Sequence, residues 1–339
     1  MANVLVIRFS YFGDVAMLVP VVYSAAKTYP QDTFFVLTSK PYAVLFECDL
    51  PNLKVIGINL SGYKGIGGMW KLANELRSYD FHAVADMNNV LRSISLREIL
   101  RPWVKKVKYI DKGKTEKNRM AAQKIPLKPL KSTFERYSDV FSALGYPFKI
   151  AYNGYFNYVK EDASLLKDIP FDASKKNIGI APFAKHAQKT YPTEKMEEVI
   201  RQLSEKQDTF VYLFGGKDDL ETLQKWEQKF HNVFSVATKL NLKAELLLMS
   251  YLRTMISMDS ANMHLASLVG IPVVSVWGGT HPYLGFYGFN QSSNDAVQTE
   301  LYCRPCSATG VKPCHRGDWA CLHGIEPTAI VLKTEKYIS

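Results

Sequence analysis

The stretch that decides the fold is Met255–Gly279, MISMDSANMHLASLVGIPVVSVWGG. Its apolar β-branched run predicts a strand over Met255–Met258, and the following segment predicts a helix over Ala261–Val269. Gly270 and Pro272 end that helix, because glycine suits the position after a helix and proline cannot continue it. A second apolar strand follows, so the stretch is one βαβ unit of a parallel sheet.

Polar residues stand at the junction of this unit. Asp259 and Ser260 follow the first strand, and Ser260 is placed to cap the helix that starts at Ala261, with His264 about one turn later on the same side. Unpaired N–H groups and the positive end of the helix dipole favour an anionic ligand such as a diphosphate. Ligands of open α/β sheets bind at the carboxyl ends of the strands. The alternative, that Asp259 and Ser260 only cap the helix, stays open.

The N-terminal part repeats the pattern. Val4–Ile7 predicts a strand, Arg8–Asp14 a turn and Val15–Ala26 a helix. Gly13 permits a tight turn, and Asp14 stands at the helix start, where a carboxylate is favoured and points over the strand ends, unless it is merely a cap. The turn lacks a G-x-G-x-x-G sequence, which disfavours a dinucleotide site and a nicotinamide-dependent oxidoreductase.

Strands and helices alternate through the rest of the chain, which predicts two parallel sheets, each covered by helices. The charged stretch Val159–Lys176, broken by Pro170, predicts an interdomain linker. Further predicted strands are Phe34–Leu37, Lys54–Ile58, Ala83–Ala85, Asn177–Ala181, Thr209–Phe214 and Val233–Val236, and further predicted helices are Gly68–Arg77, Phe134–Leu144, Thr193–Ser204, Leu220–Phe230, Leu242–Tyr251 and Glu326–Lys336. Two halves of this kind can face each other across a cleft, each with a site at its carboxyl edge.

Composition limits the class of protein. The 339 residues suit two domains, and 47% hydrophobic with 22% charged residues is typical of a globular protein. The sequence has neither an apolar run long enough to span a membrane nor a recognisable signal peptide, so we expect a cytoplasmic protein.

The positive charge is concentrated in one segment. Arg101–Lys131 holds eleven Lys or Arg against Asp111 and Glu116, which accounts for nine of the net charge of +10. Such a segment attracts an anionic membrane surface or an acidic substrate, or is only a solvated loop. Its only aromatic residues are Trp103 and Tyr109, too few for the interleaved pattern of a single-strand binding surface, so nucleic acid is not an expected partner.

Four of the five cysteines are clustered as C-x2-C-x7-C-x6-C at Cys303, Cys306, Cys314 and Cys321. The spacing raises a structural zinc site, although the second pair lacks the close spacing of a zinc ribbon. A packed cluster of reduced thiols is the alternative, and we expect no metal and no cofactor in the reaction.

Four separated stretches together resemble glycosyltransferase family 9, the ADP-heptose heptosyltransferases of lipopolysaccharide core synthesis. They are VLVIRFSYFGDV from Val4, DMNNVLRS from Asp86, PFAKHAQKTYP from Pro182, and SMDSANMHLASLVGIPVVSVWGGTHP from Ser257. The resemblance implies an α/β protein of GT-B fold, with two Rossmann-like domains whose parallel sheets face a central cleft. The expected boundaries are 1–160 for an acceptor-binding domain, 170–325 for a nucleotide-sugar-binding domain, and 326–339 for a helix that packs back toward the first domain.

The resemblance also implies roles for individual residues. Asp14 matches the proposed general base, in a turn where Ser10 and Gly13 lie near the acceptor, and Arg92 and Arg136 resemble cationic positions beside the acceptor. The donor side is expected to consist of Lys189 on the diphosphate, Asp219 near the ribose, and Asp259, Ser260, Ala261 and His264. Two departures from the family pattern concern the donor: Lys189-Thr190-Tyr191 replaces Lys-x-Trp, and Asp-Ser-Ala replaces Asp-Thr-Gly.

The implied reaction is transfer of a heptose from ADP-heptose to an anionic lipopolysaccharide-core acceptor, with inversion at the anomeric carbon. We expect a monomer that contacts the inner membrane surface peripherally. A family 9-like enzyme that uses another nucleotide sugar, and a non-catalytic nucleotide-binding relative, remain as alternatives.

Overall fold

The alternating apolar and amphipathic segments form two parallel β-sheets, one in each of two units of the chain. The computed structural model describes all 339 residues. The first unit comprises Met1–Lys112 and Lys131–Val159, and the second comprises Gly113–Leu130 and Lys160–Ser339. The α/β class and the two parallel sheets predicted from the sequence are therefore confirmed.

The first sheet has five parallel strands. In chain order they are β1 (Asn3–Ile7), β2 (Thr33–Ser39), β3 (Leu53–Ile58), β4 (Phe81–Asp86) and β5 (Lys106–Tyr109), with helices α1 (Phe12–Thr28), α2 (Gly65–Leu76), α3 (Leu91–Leu100) and α5 (Thr133–Leu144); α4 (Lys114–Ala121) belongs to the second unit. The spatial order is β3-β2-β1-β4-β5. The order reverses between β1 and β4, and ligands of such sheets bind beyond the carboxyl ends of the two strands at that point.

The second sheet has six parallel strands, and its strand order also reverses once. They are β6 (Lys176–Ala181), β7 (Thr209–Leu213), β8 (Val233–Ser235), β9 (Thr254–Met258), β10 (Val273–Trp277) and β11 (Ala296–Gln298), with helices α6 (Thr193–Ser204), α7 (Leu220–Lys229), α8 (Leu242–Ser250), α9 (Ala261–Val269), α10 (Ala320–His323) and α11 (Pro327–Glu335). The spatial order β11-β10-β9-β6-β7-β8 reverses between β6 and β9. This reversal places the loops after β6 and β9 side by side.

The central unit of the sequence behaves as its pattern predicts. Every residue of β9 and β10 is buried, which is why both strands are apolar throughout rather than alternating. Helix α9 has the predicted bounds and ends at Gly270, whose φ of 85° lies in the left-handed region that glycine adopts without strain. The strand pair and its crossover helix thus fix the position of the junction residues between them.

Helices α4 and α11 both belong to the second unit. Helix α4 falls in the second unit, where the Lys117 ammonium lies 3.7 Å from the ring centre of Phe286 and the Leu130 N–H donates to the Tyr283 carbonyl at 2.9 Å. Helix α11 buries Ile330 and Val331 in the core of the second unit. Its expected packing toward the first domain stays a prediction.

None of the helices is both long and apolar enough to cross a membrane.

Candidate active site

The donor-side residues predicted from the sequence meet at the carboxyl ends of β6 and β9. Lys189 ends a short 3-10 turn in the loop after β6, and its Nζ lies 2.8 Å from Oδ2 of Asp259, the first residue after β9. The side chains are 15% and 5% exposed, so the pair is largely shielded from water. The hydroxyl of Thr280, from the loop after β10, donates to the same Oδ2 at 2.7 Å. Residues that follow β6, β9 and β10 therefore fix the position of the Lys189 ammonium group together.

Helix α9 begins directly beside this ion pair. Ser260 occupies the N-cap position with extended backbone, but its side chain makes no capping hydrogen bond; its Oγ lies 3.3 Å from Oγ of Ser257 instead. The expected cap by the Ser260 hydroxyl is therefore wrong, although the residue is where it was predicted. Because the Ser260 side chain does not cap the first turn of α9, a bound anion could accept from the N–H groups there.

The loop after β6 also carries positive charge. Burial lowers the pKa of His186, and the neighbouring charges of Lys189 and Lys185 lower it further, while Asp259 opposes them. The part of the lowering that comes from Lys189 and Lys185 reflects positive charge at this loop, which an anionic ligand would relieve. His264, the last of the donor-side candidates on α9, is buried within the helix packing rather than open to solvent.

Asp219 lies at the end of the neighbouring strand β7. Its Oδ2 accepts the N–H of Gly216 at 2.8 Å, so the carboxylate shapes the glycine-containing loop that precedes α7. The residue is half-buried at the same edge of the sheet as Lys189. Its expected contact with a ribose stays a prediction.

Arg304 is a buried arginine, not predicted from the sequence, that holds the loop after β10 in place. Arg304 donates to the backbone carbonyls of Gly278 (2.5 Å), Thr280 (2.9 Å) and Trp277 (3.2 Å), and also to the Thr299 carbonyl at 2.7 Å and to Oε1 of Gln298 at 3.1 Å. The guanidinium thus supplies hydrogen-bond donors to the buried carbonyl groups of the turn after β10, and in this way it sets the position of Thr280. The only sequence signal is its place inside the cysteine cluster.

The clustered cysteines pack around this turn. All four are free thiols, and no group of three or more His, Cys, Asp or Glu side chains is arranged to hold a metal ion. The Cys306 N–H donates to the Gly279 carbonyl at 3.0 Å, and the Gly279 N–H donates to the Gln188 carbonyl at 2.9 Å, next to Lys189. Burial raises the pKa of the Cys306 thiol, and it raises the pKa of the Cys321 thiol to about 11, so these groups stay protonated near neutral pH. The arrangement supports a packed thiol cluster behind the Lys189 loop.

In the first unit, Asp14 lies at the carboxyl end of β1. The guanidinium of buried Arg8 forms an ion pair with the Asp14 carboxylate and donates through Nη1 to the Met87 carbonyl at 2.6 Å. The Asp14 side chain is 27% exposed, so the carboxylate is held on one side and accessible on the other. The Tyr137 hydroxyl donates to the Asp14 carbonyl at 3.1 Å and fixes the backbone.

The turn around Asp14 is tied to the loop after β4. The Asn88 side-chain oxygen accepts the N–H groups of Phe9 at 2.9 Å and Ser10 at 3.2 Å. Gly13 lies in the first turn of α1 and has no positive φ, so the tight glycine turn expected there is wrong. The segment instead enters the helix directly, with Asp14 in the first turn as predicted.

The two acceptor-side arginines have different environments. Arg92 is exposed in the first turn of α3, the helix that follows the loop after β4. Arg136 is buried in α5 and donates to the carbonyls of Lys131 and Asp111, both at 3.2 Å. Arg92 is therefore open to a ligand, whereas the contacts of Arg136 support the loop before α5.

Sequence reasoning also missed Arg97. This buried arginine forms an ion pair with fully buried Asp86 at 2.8 Å and donates to the Asn89 side-chain oxygen at 2.9 Å. The other oxygen of Asp86 accepts the N–H groups of Asn88 and Asn89. The pair therefore shapes the loop that holds the Asp14 turn.

A match to a sequence model of a protein family shows which family the chain belongs to. Residues 69–315 match the family described as glycosyltransferase family 9 (heptosyltransferase). The chain belongs to glycosyltransferase family 9. It is accordingly a glycosyltransferase, as predicted, and the match covers the whole donor-side constellation built around Lys189 and Asp259.

Relatives of this family 9 enzyme span nearly its full length. It is 26% identical to the lipopolysaccharide core heptosyltransferase OpsX of Haemophilus influenzae over 290 residues, which is 82% of this chain and 79% of that protein. The structure of E. coli ADP-heptose LPS heptosyltransferase II matches with a TM-score of 0.72 and 17% identity, over 99% of this chain and 98% of the other. E. coli heptosyltransferase WaaC with ADP matches with a TM-score of 0.70 and 19% identity, over 99% of both chains. The whole-chain structural likeness confirms the predicted GT-B fold.

The contacts of Arg304 lead to a testable expectation for this family 9 enzyme. Lysine at this position keeps the charge but cannot reach several carbonyls at once, and each lost hydrogen bond to a charged group costs about 1.5–3 kcal/mol. We expect Arg304→Lys to lower the thermal midpoint and to raise KM for the donor more than it lowers kcat, because Thr280 and Asp259 lose their fixed positions. Arg316→Lys is the control, since exposed Arg316 of the same tail forms a surface ion pair with Asp318 and lies over the exposed ring of Tyr302. Unchanged KM and stability in Arg304→Lys would remove the positioning role.

Proposed function

We propose that the enzyme transfers a heptose from ADP-heptose to an anionic lipopolysaccharide-core acceptor of the lipid A/Kdo type, with inversion at the anomeric carbon. The observation that carries the proposal is the shielded Lys189–Asp259 ion pair beside the uncapped N-terminus of α9. This is a site for a diphosphate, the leaving group of a nucleotide sugar. The similarity to the core heptosyltransferase OpsX, to ADP-heptose LPS heptosyltransferase II and to WaaC, whose structure contains ADP, supports the choice of heptose and of ADP.

The donor is proposed to bind the second unit. Lys189 and the first N–H groups of α9, beginning near Ser260 and Ala261, would bind the diphosphate, while Asp219 would lie near the ribose and His264 would support the helix start. Negative charge grows on the diphosphate as the glycosidic bond breaks, so these groups stabilise the transition state more than the bound substrate. Asp259 and Thr280 keep the ammonium in position, which avoids reorganisation during the reaction.

The acceptor is proposed to bind the first unit near Ser10, Gly13 and Arg92. Asp14 would accept the proton of the attacking hydroxyl, and a partly exposed carboxylate held by Arg8 has the fixed orientation that a general base needs. The exposed Arg92 would attract an acidic group of the acceptor. Arg136, whose guanidinium is bound to backbone carbonyls, would act on the acceptor side by supporting the adjoining loop.

The proposed setting is the cytoplasmic face of the inner membrane, where the enzyme would act as a monomer in peripheral contact with the lipid. The basic stretch Arg101–Lys131 supports such contact through charge. The structure divides that stretch between the two units, because Gly113–Leu130 joins the second. No metal or cofactor is part of the proposal.

The donor can be tested by thermal shift with ADP, UDP and GDP, each with the same purified protein. A ligand at about 100-fold its dissociation constant stabilises a protein by about 2.7 kcal/mol, which raises the midpoint measurably. We expect ADP to shift the midpoint more than UDP or GDP at equal concentration. A larger shift with UDP or GDP would favour a family 9-like enzyme with another donor. A shift with ADP but no turnover with any nucleotide sugar would favour a non-catalytic relative.

A further inference from the structure

The first unit carries a pair of exposed tryptophans that neither proposed substrate site uses. Trp70 on α2 is 48% exposed and Trp103, in the 3-10 turn after α3, is 40% exposed; their ring centres lie 6.3 Å apart in a T-shaped arrangement. In contrast, Trp226 and Trp277 are buried in the second unit. Two large aromatic side chains in mutual contact at the surface contribute little to a core, so another environment must favour them.

The same face of α2 extends this surface. Ile66 is 61% exposed and stands one helical turn before Trp70. Arg77 lies on the same line of the helix, since it follows Ile66 by eleven residues, and its guanidinium carbon is 4.4 Å from the ring centre of Trp103. We call Ile66, Trp70, Trp103 and Arg77 the aromatic patch.

The charges around the aromatic patch favour an anionic partner. Lys64 and Lys71, at and near the start of α2, are exposed, and Arg101 is exposed beside Trp103. Among the nearby acidic side chains, Glu98 is paired with Arg97 and Arg101, whereas Glu75 accepts from the Tyr63 hydroxyl and Asp80 is exposed, so the three cations Lys64, Lys71 and Arg77 outnumber these two carboxylates. Cations next to exposed aromatic rings are the composition of a protein surface that binds at the lipid headgroup level.

The rest of α2 limits how this surface can bind. Met69, Leu72, Ala73 and Leu76 are buried in the core of the first unit, so the helix stays packed on the protein. Only the exposed ring edges and the Ile66 side chain are available to enter a lipid interface, while the cations remain at its charged surface. The binding mode is therefore a shallow insertion on a rigid unit.

We propose that the aromatic patch is the surface by which this enzyme docks on an anionic lipid bilayer. The proposal rests on the proposed function in one respect, that the acceptor is lipid-anchored. Although Trp103 lies within the Arg101–Lys131 stretch, docking by the patch differs in kind from attraction by the charge of that stretch. Insertion of aromatic rings persists at high salt, whereas charge attraction is screened over about 8–10 Å near physiological ionic strength.

Vesicle flotation of the full chain tests the patch. Vesicles of phosphatidylethanolamine with phosphatidylglycerol supply the anionic surface, and vesicles of phosphatidylcholine are the neutral reference. We expect the parent to float with the anionic vesicles and to retain part of this binding in high salt. Trp70→Ala/Trp103→Ala should reduce partitioning by at least about tenfold, as expected for the loss of two partly inserted rings. Arg77→Glu should weaken binding at low salt only.

The matched control is Leu332→Ala on α11, which removes a 66% exposed apolar side chain from the second unit. It should float as the parent does, and all variants should keep the parent's thermal midpoint because the altered side chains are at the surface. Parent-like flotation of the double tryptophan variant would overturn the proposal. So would parent protein that ignores vesicles but self-associates through the patch in sedimentation, with dissociation in the double variant.

A soluble, deacylated acceptor separates this proposal from the proposed function. The double tryptophan variant should use it with the parent's kcat and KM, because neither ring is part of the substrate sites, and should lose turnover only with acceptor embedded in vesicles. Equal loss with both acceptors would contradict docking as the cause. If the parent fails on both acceptors, the proposed function fails, while the flotation result still decides the docking surface.

Discussion

Replacing Asp14 with Asn is expected to lower kcat by about 10²–10⁴-fold, the usual contribution of a general base, while ADP affinity stays at the parent value. The amide cannot accept the proton of the acceptor hydroxyl. The backbone of the turn should survive, because Tyr137 and Asn88 hold it through the Asp14 carbonyl and through Phe9 and Ser10. The measurement is steady-state transfer together with calorimetric titration of ADP.

Asp139→Asn is the matched control for this variant. Asp139 is an exposed carboxylate of the same unit whose visible partner is Lys131 at the surface, so its loss should leave turnover unchanged. Removing the Asp14 charge also frees Arg8, which is buried, and a lower thermal midpoint is therefore expected. Near-parent turnover in Asp14→Asn would show that Asp14 is not the general base. Its role would then be limited to the ion pair with Arg8 in the first turn of α1.

Replacing Lys189 with Met is expected to lower kcat/KM by roughly 10²–10³-fold, the usual effect of losing one group that stabilises a developing negative charge. Affinity for ADP should fall, and affinity for adenosine should not, because the ammonium is proposed to contact the diphosphate. Calorimetric titrations with both ligands measure the difference. Equal losses for adenosine and ADP would show that Lys189 does not act on the diphosphate.

The double variant Lys189→Met/Asp259→Asn separates binding from stability. Lys189→Met alone leaves the 5% exposed Asp259 carboxylate without its cation, which destabilises the fold. Asp259→Asn in the same chain removes that uncompensated charge and keeps an acceptor for the Thr280 hydroxyl. The thermal midpoint should therefore recover while ADP affinity stays low. Recovery of both the thermal midpoint and the ADP affinity would mean that Lys189 acts only by neutralising the buried Asp259 carboxylate.

The local order of the donor side could be predicted from the sequence because it depends on short-range signals. An apolar run, a polar junction, a helix-period segment and a glycine stop gave the bounds of α9 and its flanking strands. The same alternation placed Lys189 and Asp259 at strand ends. Their ion pair depends on β6 and β9 being neighbours in the sheet, which the family resemblance implied and no local pattern contains.

Elements with weak periodicity were not predicted. Strand β5, Lys106–Tyr109, is a lysine-rich edge strand with mostly exposed side chains, so it lacks the apolar run that marks a strand. Helix α4 is polar nearly throughout and is stabilised by contacts with distant residues such as Phe286. Membership of one unit or the other depends on those distant contacts rather than on sequence position.

The buried arginines mark the limit of residue-level prediction. Arg92 was singled out from its motif and proved exposed, whereas Arg97 one and a half turns later is buried on Asp86. Arg304, which stands between two cysteines in the sequence, was not predicted as a site residue, and it binds five acceptors. A charged side chain can be buried only where the fold supplies partners, and those partners come from parts of the sequence far away.

The most direct test of the account is transfer from ADP-heptose itself, followed by mass spectrometry of a deacylated lipopolysaccharide-core acceptor and by ADP release. The parent should add a heptosyl group with inverted anomeric configuration and release ADP in equal amount, and Asp14→Asn should show neither product above the uncatalysed level. Absence of heptosyl transfer by the parent, together with transfer from a UDP- or GDP-linked sugar to the same acceptor, would contradict the assignment of the donor.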